Sequence, residues 1–421
     1  MGGKAALVVV IGFSIILGLV IRNLSLVSVR AQGNMGTYAA ATESHNIAIT
    51  GTNAGLARLY QDTLWRGTES QDLSEAFQGS FTYTIADGAT GLPILTCISS
   101  VRGPDEMLHD TVRVVFGSNA MQSFTLFAWM TNLENGVYWI TGDTVWGRVH
   151  SNDQLWINGS PTFMEKLTTA KGFNVPVGTG SNQAIFKNGY ETGVGVITFP
   201  TDLSHVTNAA TSGGRSYTGD VTVAMHGNSG ADGDGYLIVT NSSTGVQVDS
   251  VSLADAGFNG VLGASGRVSV SGTLDGKLSI FSTNSVYITD DLLYENRTSA
   301  SNDVLGLICE TNIIVANNTP NATDVYIDGS VFSRSGSFTA ENYNSGGLRG
   351  NIYLNGSIVQ HKRGAVGNFS SGVIKNGYLK RYRYDQRLAD PNFRPPFYPG
   401  FVSIAYPIAS WWESVRIPKF Q

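Results

Sequence analysis

Residues 5–21, AALVVVIGFSIILGLVI, form an apolar run with no charge and a single hydroxyl. As a helix this run spans ~26 Å, enough to enter a bilayer and marginally enough to cross it. No proline follows until Pro93, and YAAATESHNIAITGTNAGLARLYQDTLWRG keeps apolar residues at helical spacing, as at Ala57, Tyr60 and Leu64. One long helix is therefore expected, half in a membrane and half in a globular head. Gly33, Gly36, Gly51 and Gly55 each cost roughly 1 kcal/mol relative to Ala, which predicts a break near residues 33–36.

From Ser80 the pattern changes to alternation. SFTYTIADG, LPILTCISSVRG, DTVRVVFG and SFTLFAWMTN read as strands of a small antiparallel sheet, and with the preceding helix they make a helix-plus-sheet unit over residues 35–136. From residue 137 the strands shorten and begin to repeat. LWINGSPTF, VYIDGSVFS and IYLNGSIVQ share an aromatic, an aliphatic, Asn or Asp, Gly and Ser, and VSVSGTLDG is a looser copy. Aromatic and β-branched residues suit a pleated surface, and Asn-Gly or Asp-Gly suits a tight corner. The chain is thus expected to be mainly β: an N-terminal membrane or pilin-like α-helix over residues 1–34, a small α+β unit, then a right-handed β-helix or irregular β-solenoid over residues 137–375. The solenoid is expected to carry an insertion near 164–250, and a jelly-roll sandwich is the alternative fold. Residues 376–421 hold six of the twelve prolines and many aromatics, and are expected to cap an open solenoid end.

Composition narrows the function more than the fold. The formal charge of -5 gives no general pull toward nucleic acid, so no nucleic-acid partner is expected. Fifty glycines and only 14% charged residues, without charged low-complexity tracts, favour many short strands over disorder. Cys97 and Cys309, the two cysteines, lie in apolar strand-like stretches, which leaves two readings open: buried free thiols or one long-range disulfide.

A signal peptide would end at the small residues Val29 and Ala31, but the distance from the apolar run to that point favours an anchor. Lys4 on one flank faces Arg22 and Arg30 on the other, so charge does not set the orientation. The Gly-Lys start, the proline-free apolar run and the Ala-rich continuation resemble the N-terminal region of minor pilins of type IV pili and of related secretion pseudopilins. That resemblance implies cleavage by a prepilin peptidase after Gly3, leaving Lys4 first, and packing of the exposed helix against other pilus or pseudopilus subunits. Val8 stands where most pilins carry a glutamate. GRVHSNDQLWINGSPTF, SNDVLGLICETNIIV, GSIVQHKRGAVG and GYLKRYRYDQR resemble stretches of uncharacterised bacterial cell-envelope proteins that join such an N-terminus to a strand-rich domain.

Four clusters invite a chemical reading. His150, Ser151, Asn152 and Asp153 are consecutive, but neighbours on a strand face opposite ways, so a turn bonded to local backbone amides is the simpler account. No GxSxG or HExxH motif accompanies them. In NSGADGDGYLIV, Asn228, Asp232 and Asp234 are candidate calcium ligands, although the closing glutamate of a calcium loop is missing. Asp290, Asp291 and Glu295 would serve a solenoid glycosidase only if two carboxyls faced each other. In KNGYLKRYRYDQR the alternation places tyrosines on one face and guanidiniums on the other, as intramolecular docking requires.

No catalytic set converges, and no cofactor other than that calcium is expected. The function expected is therefore that of a non-enzymatic extracytoplasmic protein, anchored in the cytoplasmic membrane by residues 5–21 and working in filament assembly, secretion or adhesion. The alternative is a membrane-tethered carbohydrate-active enzyme, or a module binding a surface glycan.

Overall fold

The computed structural model describes residues 2–62, 65–75, 77–88, 92–117, 121–228, 232–370, 373–390, 393–402 and 408–414. They fall into two units, one formed by residues 1–119 with 404–421 and the other by residues 120–403.

In the first unit a single α-helix runs unbroken over Gly2–Gln61. The break expected at residues 33–36 does not occur: Gly33 faces open space, while Gly36 lets the helix approach the turn at Pro104 and Gly51 lets it lie close on the sheet. A Cβ on Gly36 would stand 2.8 Å from the Pro104 ring, and one on Gly51 would stand 2.6 Å from Cys97 and Phe81. Ala48, Leu59, Phe81, Leu95, Cys97, Val112 and Val114 are buried together in that contact. Burying each large side chain contributes roughly 1.5–3 kcal/mol, more than one helical glycine costs. The sheet is antiparallel throughout, in the order Gly67–Asp72, Gly79–Asp87, Pro93–Arg102, Met107–Phe116, Ile408–Glu413.

Its three central strands are the ones that alternation predicts, but both edges come from elsewhere. GTESQD is too polar to read as a strand and pairs through hydroxyls, Thr68 with Thr84 and Ser70 with Thr82, both at 2.8 Å. IASWWE comes from the segment expected as a cap. SFTLFAWMTN, expected as a fourth strand here, instead supplies a 3-10 turn at Phe124–Leu126 and the strand Trp129–Leu133 of the second unit. Alternation marks a strand without naming its sheet.

The second unit is mainly β, with 22 strands in one mixed sheet among the described residues. Three parallel ladders organise it. The first passes through residues 215–217, 261–264, 277–282, 304–309, 330–333, 356–360, 129–131, 149–151, 167–169 and 190–192. A second joins residues 221–225, 268–270, 286–288, 313–315 and 338–340. The third runs through residues 272–274, 292–294, 325–328, 352–355, 380–383, 144–146, 162–163 and 185–186. Jelly rolls are built of antiparallel strands, so parallel ladders of this extent exclude that alternative. Antiparallel pairing is local, as in the hairpins of residues 221–226, 236–241 and 247–252.

VYIDGSVFS and IYLNGSIVQ lie side by side, paired residue for residue from Val325 with Ile352 to Ser333 with Gln360. Their glycines are required by stacking: a Cβ on Gly356 would lie 1.9 Å from the Gly329 carbonyl oxygen. LWINGSPTF and VSVSGTLDG turn at a different corner, into the third ladder rather than out of it. Residues 164–250, expected as an insertion, contribute strands 167–169, 185–186, 190–192 and 215–217 to the ladders.

Chain order and ladder order differ. In the first ladder, residues 358–362 of the late strand lie beside Trp129–Leu133, the earliest strand. Buried charges clamp this junction. Arg363 and Glu134, 1% and 0% exposed, pair at 2.8 Å, with the guanidinium 4.0 Å from the Trp139 ring centroid. Lys380 pairs with Asp143 at 2.6 Å. Burial pushes the Lys380 ammonium below its usual range, with Asp143 opposing. Arg363→Met is expected to destabilise the full chain by about 3–5 kcal/mol, because it strands the Glu134 charge in the core. Chemical denaturation checks this, and the double variant Arg363→Met with Glu134→Leu should recover much of the loss.

Candidate functional site

His150 lies on Val149–Ser151, between Met130 and Thr168 in the first ladder. Val149 turns into the core, so His150 turns outward, yet it is only 2% exposed. Residues 193–203 lie over it: Asn152 accepts from Ile197 N at 2.8 Å and donates to Ile197 O at 2.7 Å. That pair of backbone bonds sets the Asn152 amide, whose Oδ1 then accepts from His150 Nε2 at 2.9 Å. Nε2 therefore carries the proton, and Nδ1 faces the Thr168 hydroxyl at 2.8 Å.

Both ring nitrogens are thus engaged, and neither bonds Ser151. Ser151 Oγ is buried and accepts from Asp153 N at 3.2 Å. Burial pushes the Asp153 carboxyl up, but the backbone amides of Gln154 and Glu134 and the Lys171 ammonium outweigh it and hold the group below its usual range. Asp153 accepts from Glu134 N at 3.1 Å and pairs with Lys171 at 3.0 Å. The four residues ties three segments together, and Asn152 reaches a backbone far away in sequence that the local-turn account does not foresee.

The calcium candidates separate. Asn228 is exposed, whereas Asp232 meets Asp275 and Asp303, whose carboxylate oxygens all lie within 4.8 Å of one another. Asp275 and Asp303 lie far downstream and carry no local signature; only the ladder register brings them to Asp232. Asp290 is exposed and Asp291 partly so, at the irregularity where the strand passes from the second ladder to the third. Asp291 is tied to Tyr326 N at 2.8 Å, and Asp290 to Asp291 N at 2.8 Å.

In KNGYLKRYRYDQR, Tyr378 and Tyr382 are buried and Arg383 lies outside, 5.2 Å from the Trp146 ring centroid, as alternation requires. Cys97 and Cys309 are free thiols, each buried in its own core, so the disulfide reading is corrected. Burial pushes the Cys97 thiol up to about 11 and raises that of Cys309 further. Sequence reading missed His45, which bonds Asp110 at 2.7 Å while Asp110 also bonds Ser414, tying the helix and the C-terminal strand to the sheet.

The N-terminal half of the helix is the other candidate. From Leu7 to Val29 its large apolar side chains are exposed, among them Phe13, Leu17, Leu24 and Val27. With the helix unbroken, the charge-free run of residues 5–21 spans ~26 Å at helical rise, exposed apolar side chains recur beyond Arg22 as far as Val29, and Gly3 and Lys4 lie in the first turn.

Burial lowers the His150 pKa below 6.5, with the Asn152 bond opposing. The unfolded chain then binds the extra proton first, so this contribution to stability is present above about pH 6.5 and is lost as pH falls through the folded value. Between about pH 7 and 5 the thermal midpoint of wild type is expected to fall further than that of His150→Gln. Parallel slopes in a pH series of thermal scans would count against a buried neutral imidazole.

No family model and no curated protein matches the chain. Among solved structures it is similar to the competence-associated pilin ComZ from Thermus thermophilus, at 14% identity and a TM-score of 0.33, over 89% of this chain and 97% of that one.

Proposed function

We propose that this chain is a non-enzymatic, membrane-anchored extracytoplasmic protein resembling minor pilins, in which residues 5–21 serve as anchor and assembly helix. Its role on this reading is in filament assembly, secretion or surface adhesion. The observation that carries it is the single helix Gly2–Gln61, bare and apolar in its first half, and packed from Ala40 onward on the antiparallel sheet. A bare apolar surface of that length needs lipid or other helices around it. Cleavage after Ala31, as a signal peptide requires, would fall inside a regular helix.

The second unit is read as a β-solenoid. Support comes from the three parallel ladders and from corner residues that recur one strand over, with Thr131 and Ser151 separated by 20 residues and Asp328 and Asn355 by 27. Neighbouring rungs satisfy one another's backbone groups, which lets a long surface form from short strands. Tyr326 and Tyr353, half-exposed and stacked at 4.9 Å, lie on the outside of that surface.

N-terminal sequencing of mature protein from the membrane fraction is expected to give Lys4 as the first residue. A terminus at Gln32, or recovery of the protein from the soluble cytoplasm, would overturn the reading.

A further inference from the structure

Three acids from three separate segments meet at one corner of the second unit. Asp275 follows the strand Val268–Leu274, Asp303 precedes Val304–Cys309, and Asp232 precedes Tyr236–Asn241. Asp275 and Asp303 are 1% and 0% exposed. Each is held by backbone amides: Asp275 Oδ1 accepts from Gly233 N at 2.6 Å, and Asp303 accepts from Gly276 N at 2.7 Å and Asn296 N at 2.9 Å. Asp232 Oδ2 accepts from Asn302 N at 3.2 Å.

What these bonds leave over points to a ligand. Asp275 Oδ2 is buried and receives no hydrogen bond from any amide or hydroxyl, and Asn302 Oδ1, in the loop next to Asp303, is likewise without a donor. Glu295, on the exposed side, brings a further carboxylate within hydrogen-bonding reach of Asp275, so that carboxylates face each other at this corner. Arg387 spends its hydrogen bonds elsewhere, pairing with Asp385 at 2.7 Å and donating to Ser301 O, and reaches Asp303 only through its charge. Buried, facing carboxylates require either a proton or a cation between them. Oxygens bound at 2.3–2.6 Å to one calcium ion lie up to about 5 Å apart, which the 4.8 Å limit meets. Magnesium, with its shorter bonds and strict octahedron, suits a corner of carboxylates and amide oxygens less well.

We propose that Asp232, Asp275 and Asp303, with Glu295 alongside, form a calcium site that ties the 232–235 turn and the 295–303 loop to the ladders. Its oxygens come from three loops distant in sequence, which accounts for the missing closing glutamate of a linear calcium loop. The site is independent of the role of the N-terminal helix.

The test uses the full chain in detergent, stripped with EDTA and titrated with calcium chloride. The thermal midpoint is expected to rise with calcium and to follow simple mass action; at a hundred times the dissociation constant, the folded-to-unfolded ratio rises about a hundredfold. Asp275→Asn keeps the side-chain shape and its bond to Gly233 N. It is expected to abolish the calcium response while leaving the midpoint in EDTA equal to or above that of wild type, because one of the facing charges is gone. Should Asp275→Asn fail to fold, Asp232→Asn, on the exposed side, is expected to lower the calcium affinity at least tenfold. A wild-type midpoint indifferent to calcium would mean a proton-sharing pair only and would overturn the proposal, as would an undiminished response in both variants.

Discussion

The arrangement of the second unit depends on one contact, the stacking of its earliest ladder strand, Trp129–Leu133, on residues 358–362 of its late one. The Arg363–Glu134 pair that seals it joins residues 229 positions apart. Closing so long a loop costs conformational entropy before any contact forms, and the return comes from Trp129, Trp139, Tyr382 and Ile358 packing around the buried charges. Ion pairs of this kind add less stability than their geometry suggests. They penalise any other register, in which one charge would be buried alone.

That contact dictates the rest of the path. Because the part of the first ladder built by residues 129–192 sits after the part built by residues 215–360, the chain has to run back over the outside of the strands to begin again. Residues 193–203 do so, bonding Asn152 through Ile197, packing Phe199 on Phe124 and Phe332, and meeting Arg334 through the Thr201 carbonyl. The late segment does the same: Pro395 and Tyr398 lie against Gly306, Pro396 lies against Gly260, and Gly400–Val402 pairs with Met121–Ser123. His150 and Ser279, polar groups on outer strand faces, are therefore buried, and they find their partners in a neighbouring strand and on the strap above, respectively. An outward-facing histidine became a structural bond in this way rather than an exposed base.

The long helix, the three central strands of the small sheet and the paired copies VYIDGSVFS and IYLNGSIVQ were legible because each depends on residues close together in sequence. Periodicity and turn chemistry are local properties, and a glycine at a repeated corner announces itself wherever the corner lies. Local reasoning failed where the sign of an effect is set by a partner. Gly36 and Gly51 count against a helix considered alone, yet they permit the close approach that holds this one to its sheet. The strand Ile408–Glu413 looked like part of an irregular tail because its proline-rich surroundings hid it. Of the three aspartates in the candidate cation corner only Asp232 stood out, since the amides that hold Asp275 and Asp303 belong to other loops.

By itself the sequence determined an apolar helix, short strands bent at Asn-Gly and Asp-Gly corners, and the want of any local catalytic motif. These follow from side-chain periodicity and backbone conformational preference, which act over a few residues. Only the tertiary structure decided which strands stack, that the early strands follow the late ones in the first ladder, and which carboxylates meet. Those outcomes depend on burial and on charge facing charge across hundreds of residues, and no short stretch of the chain carries them.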